Sequence, residues 1–471
     1  MRSLRQYSFR KPDLLSLRKL GKKVLCTDDF FEQHGNLLGV VKTDIDEGLL
    51  NAFVQFYDPG YHCFTFQDYQ ILPTLEEYSC WINLPVLDKV PFSGLEETPK
   101  HSTIAATLHL ETDEVKTHLI TRGKFLGFST DFLYERTTFF DKMGVAYAFN
   151  SILALLVYGL VLFPSLDNFV DIKAIQIFLS KNPVPTLLGD TYLSIHRRTQ
   201  AGRGTILCCA QLLYRWITSL LPRTPHFTTN PENLLWSKRL MSLTPAEVVW
   251  YDRVYDKGTI IDSCGKFANV PLLGMEGGIS YNPTLARRQF GYPMEKKPLS
   301  IYLENVYYFN TEDSTGMREQ VVRAWHTIRR RDKGQLGKKT GAVHESYTQW
   351  VIDRAVQIRM PYKISRFVSA ITPAPPLPMT FDTEKECQEK IAELTRESYM
   401  WERKYRKKEQ EYDTLKNLLD QQIQANRQEK EENIRLRAAL QKKEDFLDKV
   451  CPGRKKRRMD LFDGPHSDFE D

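Results

Sequence analysis

The sequence has no pair of cysteines spaced as C-x-x-C. Its eight cysteines are scattered or directly adjacent: Cys26, Cys63, Cys80, Cys208, Cys209, Cys264, Cys387 and Cys451. Zinc ribbons, zinc knuckles and thioredoxin-type redox sites all need paired cysteines, so these classes are excluded. The chain also opens without a hydrophobic signal segment, and Pro283 blocks the N-x-[ST] glycosylation match at Asn282. This pattern favours reduced thiols in a cytosolic or nuclear protein.

The common catalytic motifs are missing as well. There is no G-x-x-x-x-G-K-[ST] phosphate loop, no G-x-S-x-G nucleophile elbow and no H-E-x-x-H zinc motif. His109 and Glu111 form an H-x-E pair, but the P-C-x-x-C partner of a zinc deaminase is lacking. We therefore predict a protein that is not an enzyme and has no catalytic residue, cofactor, metal site or small-molecule substrate. The alternative is a nuclease or transposase remnant, in which some of the many acidic residues bind metal.

Long hydrophobic runs are limited to one segment, residues 146–163. The segment is barely long enough to cross a bilayer, and Asn150 and Ser151 lie inside it. The polar helices predicted around it need an apolar surface to pack on. The segment therefore predicts a central buried helix of a globular domain, without membrane contact.

A seven-residue repeat occupies residues 391–450. A helix of this length would extend about 90 Å and could not bury its apolar stripe alone. Asparagines at two successive a positions favour a parallel two-stranded coil. We predict a homodimer or heterodimer formed through this coiled coil. The predicted seam residues are Ile391, Leu394, Trp401, Tyr405, Tyr412, Leu415, Leu419, Asn426, Asn433, Leu436, Leu440 and Leu447.

A basic cluster follows the repeat directly. It consists of Arg454, Lys455, Lys456, Arg457 and Arg458, between a Pro-Gly break and an acidic tail. Short exposed runs of lysine and arginine are typical of nuclear-import signals. We therefore predict nuclear localisation; the alternative is a tail that only increases solubility.

A second basic cluster follows a predicted helix in the first part of the chain. Its cations could contact phosphate groups or could simply end the helix in solvent. The net charge of the chain, +6, is too small for a dedicated nucleic-acid binder. We therefore predict at most a weak nucleic-acid contact. The residues concerned are Arg329, Arg330, Arg331, Lys333, Lys338 and Lys339.

Helix signals dominate residues 40–370, and strand-like runs are few and short. The glycine-rich stretch 264–283 predicts a turn-rich connector. The predicted fold class is mainly α, with a helical globular domain, a proline-rich linker and a long C-terminal coiled-coil helix. The predicted regions are a basic N-terminal arm (1–39), the helical domain (40–370), the linker (371–383), the coiled coil (384–450) and the basic cluster with its acidic tail (451–471).

Three segments resemble a known plant family. DYQILPTLEEYSCWINLPV (68–86) resembles the PTLEDV…LLGLPV signature of the plant mobile domain, found in aminotransferase-like and maintenance-of-meristems proteins. CGKFANVPLLGMEGGISYNPTLARRQFGYPM (264–294) and AWHTIRRRDKGQLGKK…YTQWV (324–351) are similar to a legume-expanded relative of unknown function, which usually ends in a proline-rich linker and a coiled coil. The resemblance covers roughly residues 40–370.

The resemblance also implies a function. The plant mobile domain occurs in transposable elements and in captured host genes, and its host members are nuclear and linked to transposon silencing and genome stability. It therefore implies a transposon-derived nuclear assembly or adaptor protein that self-associates through its coil, acting in chromatin or transposon silencing. The family has no agreed catalytic residues, so the resemblance implies none here.

Overall fold

The computed structural model describes residues 3–250, 259–294, 297–298, 306–311 and 314–363, together with residues 432, 436, 439, 442, 443, 445 and 446. The chain divides into two compact units, residues 1–367 and 368–471. The described positions of the second unit are all helical and exposed. They include one predicted seam residue, Leu436. The other seam residues, the linker and the basic cluster 454–458 lie outside the described residues.

Helices make up most of the first unit. Among its described residues they are α1 (Leu14–Gly21), α2 (Thr27–His34), α3 (Leu37–Lys42), α4 (Glu47–Phe53), α5 (Leu75–Ile82), α6 (His101–Leu108), α7 (Thr112–His118), α8 (Thr130–Lys142), α9 (Ala146–Val157), α10 (Ile172–Ser180), α11 (Val184–Ala201), α12 (Ala210–Leu220), α13 (Pro225–Thr228), α14 (Trp236–Ser242), α15 (Pro283–Gln289), α16 (Ser314–Trp325), α17 (Lys333–Leu336) and α18 (Glu345–Ile358).

Short strands interrupt these helices. The described ones are β1 (Gln6–Phe9), β2 (Tyr57–Asp58), β3 (Cys63–Thr65), β4 (Gln70–Ile71), β5 (Ile120–Arg122), β6 (Phe125–Ser129), β7 (Phe169–Asp171), β8 (Arg203–Ile206), β9 (Thr259–Cys264), β10 (Val270–Leu273), β11 (Gly277–Tyr281), β12 (Tyr307–Tyr308) and β13 (Ile328–Asp332). β1 pairs with β8 in parallel. The other small sheets are antiparallel, in the orders β2-β3-β4, β5-β6-β7, β10-β11-β12 and β13-β9.

The fold is mixed α/β, and the prediction of a mainly α-helical fold is therefore wrong. Residues 264–283, predicted as a connector, contain β10 and β11. Every residue of these two strands is buried. A strand buried on both faces shows no alternation of apolar and polar residues, so its strongest sequence signal is missing. The glycines of β11 are residues more typical of turns than of strands, and they also favoured the prediction of a connector.

The N-terminal residues belong to the same core. β1 lies beside β8, about 200 residues away along the chain by the register of Gln6 with Arg203. Leu17 of α1 and Leu37 of α3 are fully buried, and α1 packs against α3 and α9. The segment predicted as an arm (1–39) thus contributes helices and a strand to the first unit from residue 6 onward.

The apolar segment 146–163 is confirmed as a buried helix. α9 packs against α8 and α1, and its residues from Ile152 to Val157 are fully buried. A single π-helical turn, Tyr158–Leu162, continues it. Gly159 in that turn lies against Val170 of β7, where an added Cβ would come within 2.6 Å of a valine methyl group. No helix within the described ranges is long and apolar enough to cross a membrane.

Candidate anion-binding cleft

A basic cleft lies beside the two-stranded ribbon of β9 and β13. The register of this ribbon shifts between Arg329, which stands opposite Ser263, and Arg330, which stands opposite Ile261. Asp262 therefore has no residue directly opposite it. Such a β-bulge changes the direction in which neighbouring side chains point. The consecutive arginines of β13 consequently make contacts in different places.

Arg331 points into the cleft, where Asp262 holds it together with Arg287 of α15. Arg331 Nε lies 2.8 Å from Asp262 Oδ2, and Arg287 Nη2 donates to Asp262 Oδ1. The Asp262 side chain is 15% exposed, whereas those of Arg287 and Arg331 are 25% and 44% exposed. Two guanidinium groups therefore share one carboxylate, which leaves one positive charge uncompensated in this trio.

The rest of the cleft adds a further cation and several hydrogen-bonding groups. Its volume is about 600 Å³, and Lys297, Asn269, Asn282 and Gln335 also line it. Lys297 is exposed. Arg287 Nε is buried and has no hydrogen-bond partner among the described residues. A cleft with an excess of about two positive charges and an unused charged donor is suited to an anion, since charge-assisted hydrogen bonds are the strong ones.

The predicted phosphate-contacting residues are only partly brought together here. Arg331 lines the cleft, and Lys339 lies with its ammonium 5.3 Å from the ring centroid of Tyr292, another lining residue. Lys333 opens α17, whose later residues also line the cleft, and is exposed, as are Arg329 and Lys338. The alternative that the basic cluster forms the end of a helix is wrong for Arg329, Arg330 and Arg331, because these residues lie on the strand β13.

Arg330 is directed away from the cleft. Its Nη2 lies 2.7 Å from Asp88 Oδ1 and 3.1 Å from the carbonyl oxygen of Val86. It lines a separate groove of about 490 Å³ together with Glu76 and Cys80. Because these partners already occupy its donors, Arg330 is the member of the cluster least suited to bind an added phosphate.

The sequence did not single out Arg287, Lys297 or Asp262. Arg287 and Lys297 each belong to a pair of adjacent basic residues, 287–288 and 296–297. These pairs were the signal in the sequence that could have pointed to them. The first pair splits in the fold: Arg288 is 7% exposed and stacks on Trp250, with its guanidinium carbon 4.0 Å from the ring centroid. Only one arginine of that pair therefore reaches the cleft.

A buried polar network fixes α15 and so positions Arg287. Gln289 at the end of α15 accepts from Leu72 N at 2.7 Å and donates to Leu72 O at 2.8 Å. Its amide also donates to both carboxyl oxygens of Glu77, at 3.0 and 3.2 Å. Glu77 in turn forms a capping box with Thr74 at the start of α5. Burial raises the pKa of Glu77 to about 8.

Metal-ligand residues do not cluster in the described part of the chain. No group of three or more His, Cys, Asp and Glu side chains there could hold a metal ion. His62 and His196 are both buried with ring centroids 5.0 Å apart, but His62 Nδ1 contacts Ser280 O and His196 Nδ1 contacts the Tyr57 hydroxyl. In this part of the chain, no set of residues supports the alternative of a nuclease or transposase remnant with metal-binding carboxylates.

A family model described as a domain of unknown function (DUF7745) matches residues 17–356. These residues span the first unit from α1 to α18 and include the whole cleft. No curated protein and no solved structure matches the chain.

Proposed function

The chain belongs to the DUF7745 family, and we propose that it is a nuclear assembly or adaptor protein whose first unit contacts nucleic-acid phosphates at the basic cleft. The observation that carries the contact is the trio of Arg287, Asp262 and Arg331, which holds two guanidinium groups side by side with an excess of charge. Its nuclear site of action and its origin from a transposon rest on the basic cluster 454–458 and on the resemblance to the plant mobile domain.

The affinity of one cleft should be weak. Affinity for the nucleic-acid backbone comes mainly from counterion release and scales with the number of phosphates neutralised. With roughly two uncompensated charges, one cleft should give a slope of log K against log salt of roughly −2. A dimer that presents two clefts should roughly double the slope and gain affinity by avidity. Self-association and nucleic-acid contact are therefore two parts of one function.

We expect the double substitution Arg287→Gln and Arg331→Gln to weaken binding of a 20-base-pair DNA duplex by about tenfold or more at low salt and to flatten the salt slope. The reason is the loss of both guanidinium donors from the cleft. Fluorescence anisotropy of the labelled duplex between about 50 and 200 mM salt, the range over which such contacts lose most affinity, provides the measurement.

The matched control removes the same charge elsewhere. Arg122 and Arg323 are exposed residues outside the cleft, so Arg122→Gln with Arg323→Gln should change the affinity far less. Asp262→Asn should act in the opposite direction and tighten binding, because it removes the negative charge of the trio. Equal loss in the two double variants would show that net charge, and not the cleft, governs binding.

The coiled coil supplies the assembly part of the proposal. We expect the full chain to sediment as a dimer and a variant with Leu415→Glu and Leu419→Glu to sediment as a monomer, since charges at seam positions would have to be buried. Analytical ultracentrifugation at micromolar concentration measures this. A matched variant at the non-seam positions Asn417→Glu and Gln421→Glu should remain dimeric. A wild-type chain that is monomeric at high micromolar concentration would refute the proposed assembly.

Nuclear import is proposed to depend on residues 454–458. Changing Lys455, Lys456 and Arg457 to alanine should shift a fluorescent fusion of the full chain from the nucleus to the cytoplasm, because import receptors recognise runs of positive charge. Imaging of the fusion in plant cells measures the ratio of nuclear to cytoplasmic signal. Lys442 and Lys443 changed to alanine give a control that removes two positive charges outside the cluster. An unchanged ratio in the triple variant would contradict the assignment.

A further inference from the structure

The basic cleft keeps charged donors after the carboxyl group of Asp262 is satisfied. Asp262 uses one oxygen for Arg331 Nε and the other for Arg287 Nη2. The two Nη groups of Arg331 make no hydrogen bond to another described residue, and the side chain is 44% exposed. Because both guanidinium groups contact the same carboxylate, one small anion can receive hydrogen bonds from both of them.

The charges that line the cleft leave an excess of two positive charges. Its described lining holds three cations, Arg287, Lys297 and Arg331, and one acid, Asp262. A space of about 600 Å³ is on the order of 10 Å across, so these charges lie within about one Debye length of a ligand inside it. An anion with two negative charges matches the excess, whereas an anion with one leaves the cleft positive.

The floor of the cleft is fixed by buried residues. Tyr292 and Met294 line the cleft and are 4% and 1% exposed. Met294 is held on both sides, because its N–H donates to Ala342 O and its carbonyl oxygen accepts from His344 N, both at 2.9 Å. A site whose walls are already ordered loses little conformational entropy when a ligand enters.

We propose that the cleft binds a phosphate monoester at the end of a nucleic-acid strand in preference to an internal phosphodiester. The preference rests on the proposed function, contact of the cleft with nucleic acid, and specifies the phosphate involved. A monoester carries about −1.5 to −2 charges near pH 7 and has three strong acceptor oxygens, whereas an internal phosphodiester carries one negative charge. The monoester therefore matches the charge excess and offers more acceptors to the two guanidinium groups.

The depth of the trio also favours a strand end. The side chains of Asp262 and Arg287 are only 15% and 25% exposed, so the shared carboxylate and one of its two guanidinium groups lie below the surface. An internal phosphate is joined to nucleotides on both sides, and both would have to fit into the cleft. A terminal phosphate is joined on one side only and can reach a recessed group.

Fluorescence anisotropy with one internally labelled 20-base-pair duplex tests the preference. The duplex is prepared with hydroxyl groups at all ends, with 5′-phosphates or with 3′-phosphates. We expect the full chain to bind at least one phosphorylated form about tenfold more tightly than the hydroxyl form at low salt, because charge-assisted hydrogen bonds are the strong ones. The form that gains affinity shows which end of the strand the cleft accepts.

The preference should increase with pH. The second ionisation of a phosphate monoester has a pKa of about 6, so only the phosphorylated duplex gains charge between about pH 5.5 and pH 7.5. The ratio of the two affinities should rise roughly threefold over this range. Both forms meet the same charged groups, Asp262, Arg287, Lys297 and Arg331, so the ratio reports the ionisation of the phosphate itself.

Variants assign the preference to the cleft. Arg287→Gln with Arg331→Gln should abolish it, and Lys297→Gln, at an exposed residue outside the trio, should reduce it. Arg122→Gln with Arg323→Gln is the matched control and should keep the full preference. The comparison of the three duplexes on the wild-type chain does not depend on whether any variant folds.

The outcomes separate the preference from the proposed function. Equal wild-type affinity for the three duplexes, with binding lost in the Arg287 and Arg331 double variant, would overturn the preference and leave the nucleic-acid contact in place. Absence of binding to every duplex, or equal binding by the wild type and that double variant, would overturn both. A ratio that does not change with pH would contradict the match to a dianion. A phosphoserine peptide that competes more strongly than the phosphorylated duplexes would identify a protein ligand and overturn the proposal.

Discussion

Replacing Gln289 with leucine is expected to lower the free energy of unfolding of the first unit by about 3–5 kcal/mol. Gln289 is 2% exposed, and its amide satisfies Leu72 N, Leu72 O and the carboxyl group of Glu77. Leucine fills a similar volume but makes none of these bonds. Each buried polar group that loses its partner costs about 1–3 kcal/mol, so the three losses together account for the expected effect.

The free energy of unfolding that is lost in Gln289→Leu should also depend on pH. The pKa of Glu77 is raised to about 8 in the folded chain, first by burial, and donors such as Thr74 and Gln289 oppose the rise. When the pKa of a carboxyl group is higher in the folded chain than in the unfolded chain, the free energy of unfolding falls as the pH increases from the unfolded pKa to the folded pKa. Without Gln289 the folded pKa moves higher still. The wild type stops losing stability near pH 8, whereas the variant continues to lose it, so the deficit should be larger at pH 9 than at pH 6.

Urea unfolding followed by tryptophan fluorescence measures both effects, because Trp216 and Trp325 are buried in the first unit. Gln349→Leu is the matched control. Gln349 is exposed on α18 and contacts Asp353 at 3.0 Å, so its loss should cost no more than about 0.5 kcal/mol. A cost below 1 kcal/mol for Gln289→Leu would mean that the network does not hold α15 in place.

The parts of the fold that the sequence predicts well are those decided by near neighbours. Asp46, Thr74 and Ser129 all accept hydrogen bonds from the first turns of the helices they precede, as their residue types and positions predict. The buried helix α9 follows from the length and composition of one continuous segment. These signals are local, so a single sequence is sufficient to read them.

The remaining parts depend on contacts between distant segments. β1 is a strand because β8 lies beside it, and β9 is extended to six residues by its pairing with β13. The cleft needs Asp262, Arg287 and Arg331 to meet, and only the ribbon and the placement of α15 bring them together. No spacing in the sequence encodes those distances, so Arg331 was found as part of a basic run while its two partners were missed.

The three sequence segments 68–86, 264–294 and 324–351 contact one another in the folded chain. Thr74 and Glu77 of the first segment form the capping box of α5, and Gln289 of the second binds Glu77. Trp325 of the third donates to Pro271 O of the second at 2.8 Å. The three segments thus meet in buried hydrogen bonds. These contacts give residues of all three segments a role in holding the first unit together.

The second large effect is expected at Arg354 of α18, where methionine should cost about 3–5 kcal/mol of stability. Asp58 is fully buried, and Arg354 binds it through two parallel hydrogen bonds, Nη2 to Oδ1 at 2.6 Å and Nε to Oδ2 at 2.7 Å. Methionine keeps the aliphatic stem but leaves the carboxylate buried without a cation. Breaking such a pair from one side is strongly destabilising, whatever the net contribution of the intact pair.

A double-mutant cycle separates the pair from the rest of α18. Asp58→Asn retains an acceptor for Gly60 N, now 2.9 Å away, and leaves Arg354, whose side chain is 22% exposed, able to reach water. Its cost should therefore be smaller than that of Arg354→Met. Once the buried charge is gone, removal of Arg354 should add little, so the double variant should be more stable than the sum of the single costs predicts, by about 1–3 kcal/mol.

Arg323→Met is the control for the loss of a helical arginine, because Arg323 lies on α16 and pairs only at 3.5 Å with Glu319, both more than half exposed. Such surface pairs contribute about 0–1 kcal/mol. If Arg354→Met costs no more than this control, or if the two single costs at Asp58 and Arg354 simply add, the pair does not fasten α18 to the hairpin of β2 and β3. A coupling of the expected size would show that this buried charge pair contributes to holding α18 against β2 and β3, beside the buried side chains of Tyr347 and Val351.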